Sequence, residues 1–482
     1  MAKLISSKSA SGRKAHFIGI AGIGMSAVAK LLKESGWDIS GSDEGFYPPA
    51  SEYLKKHNLP FNTNYRKENV PKDAEVIVIG KNAKLVPETN EEVKAAYESG
   101  IPVKSFAEIL GELSQNTENV VIAGSYGKST VTALISWCLT HAGKDPSYFI
   151  GAVPIGMENA HIGSDNIFVI EGDEYPTSNT DTRSKFLHYH PHDVLLTSAE
   201  HDHVNIFKTK KEYLKPFTDL LGMVPDDGIV VASDEKSVTE LVTEQVTEHR
   251  NRIVRYGALG KTDWTAENIS YSDNTTFNLM HCGQKVTELS TTLLGKHNVE
   301  NIVGASAMLL EKKLLTPEEL QKGIQTFQGI KRRLDLLSSD SIVPVYEGFG
   351  SSYEKAKAAF DAIKLHFPNR RLITVFEPHT FSWRNRDTIH WYDNIFKTSD
   401  KVLIYEPASQ GAGTHEQLTQ EEIVDRVLKS GTEAKAIHNE KEGLAILESE
   451  LEPNDVVLLM TSGDLGGLIE SIPRLVQEKF PK

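Results

Sequence analysis

One stretch constrains the fold of this chain more than any other: Val120-Val121-Ile122-Ala123-Gly124-Ser125-Tyr126-Gly127-Lys128-Ser129-Thr130. A short apolar run reads as a strand and a glycine loop follows it. A helical pattern then runs through Val131, Leu134, Ile135, Trp137, Cys138 and Leu139. Strand, glycine loop, lysine, hydroxyl and helix is the order a phosphate-binding loop requires. The glycines let backbone N–H groups turn toward phosphates, and Lys128 brings a point charge. The Ser129 hydroxyl is a Mg²⁺ ligand type, and the helix N-terminus favours an anion. Full Walker spacing asks for a glycine where Ile122 stands, so the loop is a shortened form, GxxGKST. An ordinary turn is the plain alternative, and the flanking strand and helix weigh against it.

A chain of 482 residues has room for roughly three domains of ~150 residues each. With 39% hydrophobic and 24% charged residues, the composition is that of a globular protein. A net charge of −14 argues against a nucleic-acid or anionic-membrane partner. Cys138 and Cys282 lie far apart, which points away from a disulfide framework and toward a reducing cytoplasm. The N-terminal residues lack the apolar core of a signal peptide, and no apolar run approaches the ~18–20 residues of a membrane span.

The expected class is α/β with three domains: residues 1–112, Rossmann-like; 113–330, a central sheet of P-loop ATPase type; and 331–482, Rossmann-like again. In the first, His16 to Ile20 reads as a buried strand, Ala21 to Ser26 as a glycine turn and Ala27 to Ser35 as a helix. A second strand ends in Ser42 and Asp43, where an acidic residue commonly meets a ribose. The glycines fall as Gly19-x-x-Gly22-x-Gly24, not as G-x-G-x-x-G, so the dinucleotide fingerprint is unmet and a nucleotide-sugar site stays open. Close packing of helix on strand is the bland account of the same glycines.

In the second domain the apolar strand Asn166 to Ile170 ends in Glu171-Gly172-Asp173-Glu174, carboxylates placed to hold Mg²⁺ or to form a solvated turn. A strand over 193–197 ends in Ser198-Ala199-Glu200-His201-Asp202-His203. His188, His190 and His192 raise a zinc alternative, disfavoured for want of a nearby Cys. Residues 262–292 read as hairpin material. Asn298 and Asn301 stand one turn apart at the start of an apolar helix, on one face or as an N-cap. Lys331-Arg332-Arg333 opens the third domain as a solvated face or a phosphate contact. Strands are expected there at 343–346, 371–376, 401–405 and 456–460.

These segments, in order over essentially the whole chain, resemble the Mur ligases of peptidoglycan synthesis. GSYGKST is similar to their G-T-x-G-K-T-T, and Glu171-x-Asp173-Glu174 to E-A-D-E. Glu200-x-Asp202-His203 resembles N-x-E-x-D-H, and Gly295-x-His297-Asn298-x-x-Asn301 resembles G-x-H-N-x-x-N; Arg332-Arg333 matches R-R. The opening His16–Ser26 and Gly41-Ser42-Asp43 look like the two muramate-binding branches, one adding L-alanine and the other, the murein peptide ligases, a recycled tripeptide. Tyr47-Pro48-Pro49, Asp173-Glu174-Tyr175 and Arg183-Ser184-Lys185-Phe186-Leu187-His188-Tyr189 resemble the second branch.

The resemblance therefore implies ATP-dependent joining of L-Ala-γ-D-Glu-meso-diaminopimelate to UDP-N-acetylmuramate through an acyl phosphate. The alternatives are the L-alanine ligase and a Mur-type binding protein that no longer ligates. It implies ATP and Mg²⁺ as cofactors. Lys128, Glu171 and His203 would be catalytic, with Ser129, Glu171 and His203 on metal. Gly124, Ser125, Tyr126, Gly127, Lys128, Ser129, Thr130, Asn298, Asn301 and Arg333 would hold ATP. Gly19, Ala21, Gly22, Ile23, Gly24, Met25, Ser42 and Asp43 would hold UDP-muramate, and Arg183, His379 and Arg384 the peptide. A monomer or weak homodimer is implied. Glu347-Gly348-Phe349-Gly350-Ser351-Ser352-Tyr353-Glu354 departs from the family's D-D-F-A-H-H-P-T, and His379 stands where E-P-R-S-N-T has its arginine.

Overall fold

A computed structural model describes residues 12–46, 50–201, 206–245, 252–407 and 416–482. The chain divides into two compact units: residues 1–267 with 278–289 and 300–327, and residues 268–277 with 290–299 and 328–482. His203 and Tyr47-Pro48-Pro49 lie outside the described residues.

The first unit opens on a four-stranded parallel sheet. Its strands are β1 (Lys14–Ile18), β2 (Asp38–Ser42), β3 (Val76–Ile79) and β4 (Val103–Lys104), in the order β2-β1-β3-β4. β1 and β3 are almost wholly buried, as apolar runs are when helices cover both faces of a parallel sheet. In the stretch Ile101-Pro102-Val103-Lys104 only Val103–Lys104 pairs as a strand. Pro102 has no N–H to give, and its carbonyl accepts from Ile77 instead. The helix Phe106–Ser114 starts at a capping box: Ser105 accepts from the Glu108 N–H and Glu108 reaches back to Ser105.

The central sheet comprises β5 (Glu118–Ala123), β6 (Ser147–Phe149), β7 (Ala160–His161), β8 (Ile167–Gly172), β9 (Asp193–Leu196), β10 (Ile229–Ser233), β11 (Arg252–Tyr256), β12 (Trp264–Tyr271), β13 (Thr275–His281) and β14 (Gln284–Thr291). Their order is β14-β13-β12-β11-β10-β9-β5-β8-β6-β7. β5 lies between β8 and β9, parallel to both, so the phosphate loop and the acidic ends of β8 and β9 emerge at the same sheet edge. One apolar core runs from Phe17 and Leu31 through Ala107 to Phe168, Ile170 and Phe217, fixing the two sheets of this unit to each other. A buried Lys30 adds a bond to the carbonyl of Ala160 at 2.8 Å.

The second unit carries a six-stranded sheet: β15 (Arg333–Leu336), β16 (Val345–Gly348), β17 (Arg371–Phe376), β18 (Lys401–Tyr405), β19 (Glu433–Ile437) and β20 (Asp455–Met460). The order is β15-β16-β20-β17-β18-β19, parallel except for β15. One face packs on Phe360, Phe376, Trp383 and Tyr392, and the other on Leu447, Leu468, Ile472 and Val476. Each such side chain contributes about 1.5–3 kcal/mol by leaving water. Among the described residues no helix is long and apolar enough to cross a membrane.

Candidate active site

The first group of site residues hangs on β1 and β2. Gly22 begins the helix Ile23–Glu34 with no side-chain cap and no acid in the first turn, which leaves that N-terminus free to meet an anion. Asp43 holds the turn: one carboxylate oxygen accepts from the Ala21 N–H at 2.9 Å and the other from the Tyr65 hydroxyl at 3.0 Å. The Ser42 carbonyl accepts from the Gly19 and Ile20 N–H groups. Its buried hydroxyl donates to Glu92 at 2.5 Å, so Ser42 acts on the turn through its backbone and through Glu92. Ile23 is exposed at the tip and Met25 is buried below it.

The phosphate loop is held from several sides. Gly127 caps the helix Lys128–His141 at φ +82°, and a Cβ there would lie 2.6 Å from Asn301 Oδ1. Only glycine combines that left-handed backbone with so close a neighbour. Ser125 Oγ donates to the Glu200 carbonyl at 2.6 Å and meets the Tyr213 hydroxyl at 2.7 Å. The Tyr126 N–H donates to Ser198 Oγ at 2.9 Å, and its carbonyl accepts from Thr197. Thr130 is buried in the first turn of the helix. Lys128 Nζ bridges the Gly124 carbonyl and Glu174, the latter at 2.8 Å. Ser129 Oγ donates to Glu171 Oε1 at 2.8 Å, and the Gly151 N–H donates to Oε2 at 2.6 Å. A hydroxyl and a carboxylate side by side are hard oxygen donors, the set Mg²⁺ takes.

Next to these lies a cavity of about 680 Å³. Gly22 and Gly24 of the first turn line it together with Glu171, Asp173, Lys185 and Lys81. Asp173 ion-pairs with Lys185 at 2.5 Å. Burial works against its charge, but the Lys185 ammonium and the Tyr175 N–H outweigh burial and hold it below the usual carboxylate range. The turn of the first sheet and the carboxylates of the second thus face one space.

In the second unit, Asn298 is buried and donates to the Leu294 carbonyl at 2.8 Å. Beside it, burial and the nearby Arg333 push the His297 imidazole down to about 4, so it is neutral. Arg333 is exposed at the head of β15. Arg332 turns inward, pairing with Glu347 at 2.9 Å and donating to the Gly463 carbonyl at 2.6 Å. His379 meets Glu377 at 3.0 Å.

Of the residues expected to hold a peptide, Arg384 is buried and donates to Gln417 at 3.1 Å. Arg183 is exposed and paired with Asp181 at 2.7 Å. Among the described residues the zinc alternative finds only Glu118, His192 and Asp193 grouped, and Lys312 already bridges those carboxylates, at 3.2 Å and 2.5 Å. Sequence reasoning missed Tyr213, Thr197, Glu92 and the pair Lys81 and Lys185. Only Lys185 carried a signal, a lysine inside a run whose neighbours are core residues.

Two family models match: the Mur ligase middle domain over residues 122–309, and the Mur ligase family catalytic domain over residues 14–117. Together they span more than half of the chain. The chain belongs to the Mur ligase family. It is accordingly an ATP-dependent amide-bond ligase. The UDP-N-acetylmuramate–L-alanine ligase of Desulfitobacterium hafniense is 29% identical over 456 residues, 93% of this chain and 97% of that one. Among solved structures, the UDP-N-acetylmuramate-alanine ligase of Thermotoga maritima superposes with a TM-score of 0.77 at 22% identity, covering 97% of this chain and 99% of that one. A murein peptide ligase of Psychrobacter arcticus gives 0.65 at 22%, covering 96% and 99%. At that identity the structural likenesses show the three-domain Mur ligase fold.

The expected tripeptide activity is corrected by these relatives. Curated proteins that match nearly the full chain are named L-alanine ligases. The stretch 183–189, which suggested the peptide-adding branch, has structural work here: Phe186 and Tyr189 are core residues, Lys185 pairs with Asp173 and Arg183 with Asp181.

Proposed function

We propose that this Mur ligase joins L-alanine to the lactyl carboxylate of UDP-N-acetylmuramate at the expense of ATP. The cavity lined by the Gly22–Gly24 turn and by Glu171 and Asp173 carries the reading, because it sets the turn assigned to the nucleotide sugar beside Glu171, whose carboxylate accepts from Ser129 of the phosphate loop. The acceptor is taken from the curated relatives. In this reading residues 1–112 hold the nucleotide sugar, 113–330 hold ATP and 331–482 form the ligase domain that completes the reaction.

The chemistry has two steps. A carboxylate oxygen of the muramyl group bonds to the γ-phosphorus while the bond to ADP breaks. The neutral amine of alanine then bonds to the acyl carbon, the carbon–oxygen bond to phosphate breaks, and phosphate leaves with the electron pair as the amine proton passes to solvent. Catalysis is mostly positioning and charge neutralisation. Gly124–Thr130 cradle the phosphates through backbone N–H groups, and Lys128, released from Glu174, neutralises the terminal phosphate. The N-terminus at Gly22–Met25 takes the nucleotide-sugar diphosphate, and Asp43 keeps that turn in shape. Asn298 and Asn301 read adenine and Arg333 neutralises phosphate. Ser129 and Glu171 fit Mg²⁺, with His203 as a further ligand. Bound there, the ion would offset charge on the phosphate oxygens.

The test is phosphate release by the full-length protein with MgATP and UDP-N-acetylmuramate, with single amino acids supplied in turn. Release that depends on both the nucleotide sugar and L-alanine is expected. Release with another amino acid but not with L-alanine would overturn the acceptor, and none with any would overturn the reading.

A further inference from the structure

Two amines in the cavity have no role in the reading above, and both lie close to one aromatic ring. Lys185 follows Ser184 at the start of a short turn of helix and is buried, with its side chain only 10% exposed. Its ammonium makes one hydrogen bond among the described residues, to Asp173, and otherwise faces the rings of Phe106 at 5.5 Å and Tyr175 at 5.6 Å. Phe106 in turn packs where a Cβ on Gly24 would stand, 3.3 Å away. Phe106 thus neighbours both the Gly22–Gly24 turn and the Lys185 ammonium.

Lys81 enters from the other sheet, just beyond the C-terminal end of β3. Its ammonium lies 5.9 Å from the same Tyr175 ring and donates to the Pro176 carbonyl at 3.3 Å. Among the described residues no carboxylate comes within ion-pairing distance of it. Partial burial and the Lys185 charge hold Lys81 below the ordinary lysine range. Two cations on one ring, with one carboxylate between them, leave N–H donors for an anion about the size of a carboxylate or phosphate.

We propose that Lys81 and Lys185 bind the lactyl carboxylate of the nucleotide sugar and stay on it as it becomes an acyl phosphate, which makes them the residues that select a muramyl sugar over the parent sugar that lacks this carboxylate. The inference rests on the function proposed above. The geometry supports it because the pair lines the same cavity as the turn assigned to the diphosphate and Glu171, so an anionic arm reaching from one to the other enters the space these amines share. The reacting group goes from one negative charge to two when it takes the γ-phosphoryl group and ADP leaves. Fixed ammonium groups favour that change. Neither lysine gives up a proton in the step.

The experiment is calorimetric titration of the full-length protein with UDP-N-acetylmuramate and with UDP-N-acetylglucosamine, the same nucleotide sugar without the lactyl carboxylate. The variants are Lys81→Met, Lys185→Met and the double variant. The wild type is expected to prefer the muramyl sugar. Each single variant should lose about 10-fold, and the double variant up to about 100-fold, in muramyl-sugar affinity, with UDP-N-acetylglucosamine affinity unchanged. That second ligand also reports folding of the nucleotide-sugar site. If Lys185→Met loses both ligands because the buried site collapses, Lys81→Met, at the mouth, decides. A Lys81→Met protein that keeps the full preference for the muramyl sugar overturns the proposal. A wild-type protein that binds neither nucleotide sugar overturns the function reading instead.

Discussion

Glu92 is the residue on which the first site turn depends, and its removal should be felt well beyond its own helix. Its side chain is fully buried. It accepts four bonds: from His16 Nε2 at 2.8 Å, Ser42 Oγ at 2.5 Å, the Arg66 N–H at 2.9 Å and Asn69 Nδ2 at 2.7 Å. Burial alone would raise its pKa, but these donors outweigh burial and hold it below the ordinary carboxylate range. Glu92→Ala leaves all four donors without their acceptor. Orphaned partners of a charged group cost about 1–3 kcal/mol each and are not additive. A loss of about 4 kcal/mol is therefore expected for Glu92→Ala. Glu92→Gln, which keeps one acceptor oxygen, should lose about half of that.

Amide hydrogen exchange read at β1 and β2 is the assay, because it reports local opening without assuming two-state unfolding of a large chain. Exchange there should quicken about a thousandfold in Glu92→Ala, while β17 and β20 stay as they are. The pH dependence has a definite sign. A carboxylate whose folded pKa is depressed stabilises fully above its unfolded value, near ~4.3, and loses that stabilisation as pH falls through the folded value. The gap between wild type and Glu92→Ala should thus narrow on acidification below that value. A loss under about 1 kcal/mol, or a gap that widens in acid, would refute the reasoning.

Lys128→Ala should lower turnover by at least about a hundredfold, with the fold unchanged by circular dichroism, since it removes the one cation of the phosphate loop; activity near wild type would discard the loop assignment. Tyr213→Phe removes the hydroxyl at 2.7 Å from Ser125 and should raise the KM for ATP by about fivefold, leaving that for the nucleotide sugar alone. Cys138 is fully buried and its thiol is pushed up by burial, whereas Cys282 is exposed. A thiol reagent should titrate one cysteine in the native protein and both after unfolding.

Much of the architecture was legible because the sheets are largely parallel and buried, so their strands read as unbroken apolar runs such as Val120–Ala123 and Val456–Met460. Two of the elements that escaped are sheet edges. β15 (Arg-Leu-Asp-Leu) and β19 (Glu-Ala-Lys-Ala-Ile) alternate charge with small or apolar residues, and only pairing with β16 and β18 makes strands of them. Motifs local in sequence, the phosphate loop and the Glu171–Glu174 turn, were visible at once. Contacts made across 50 to 94 residues were not: Glu92 on Ser42, Tyr213 on Ser125 and Lys81 beside Tyr175 have no sequence signature. The tripeptide expectation failed for a related reason. A run such as Arg183–Tyr189 carries core residues as well as site residues, and its likeness to one branch does not say which of the two it reports.

The most direct test of the account is the stoichiometry of products. The full-length protein, given MgATP, UDP-N-acetylmuramate and L-alanine, is analysed by liquid chromatography and mass spectrometry. The account predicts ADP, phosphate and the UDP-N-acetylmuramyl-alanine amide in equal amounts, and none of them when the nucleotide sugar is left out. ADP and phosphate formed without the amide, or at the same rate without the nucleotide sugar, would contradict it.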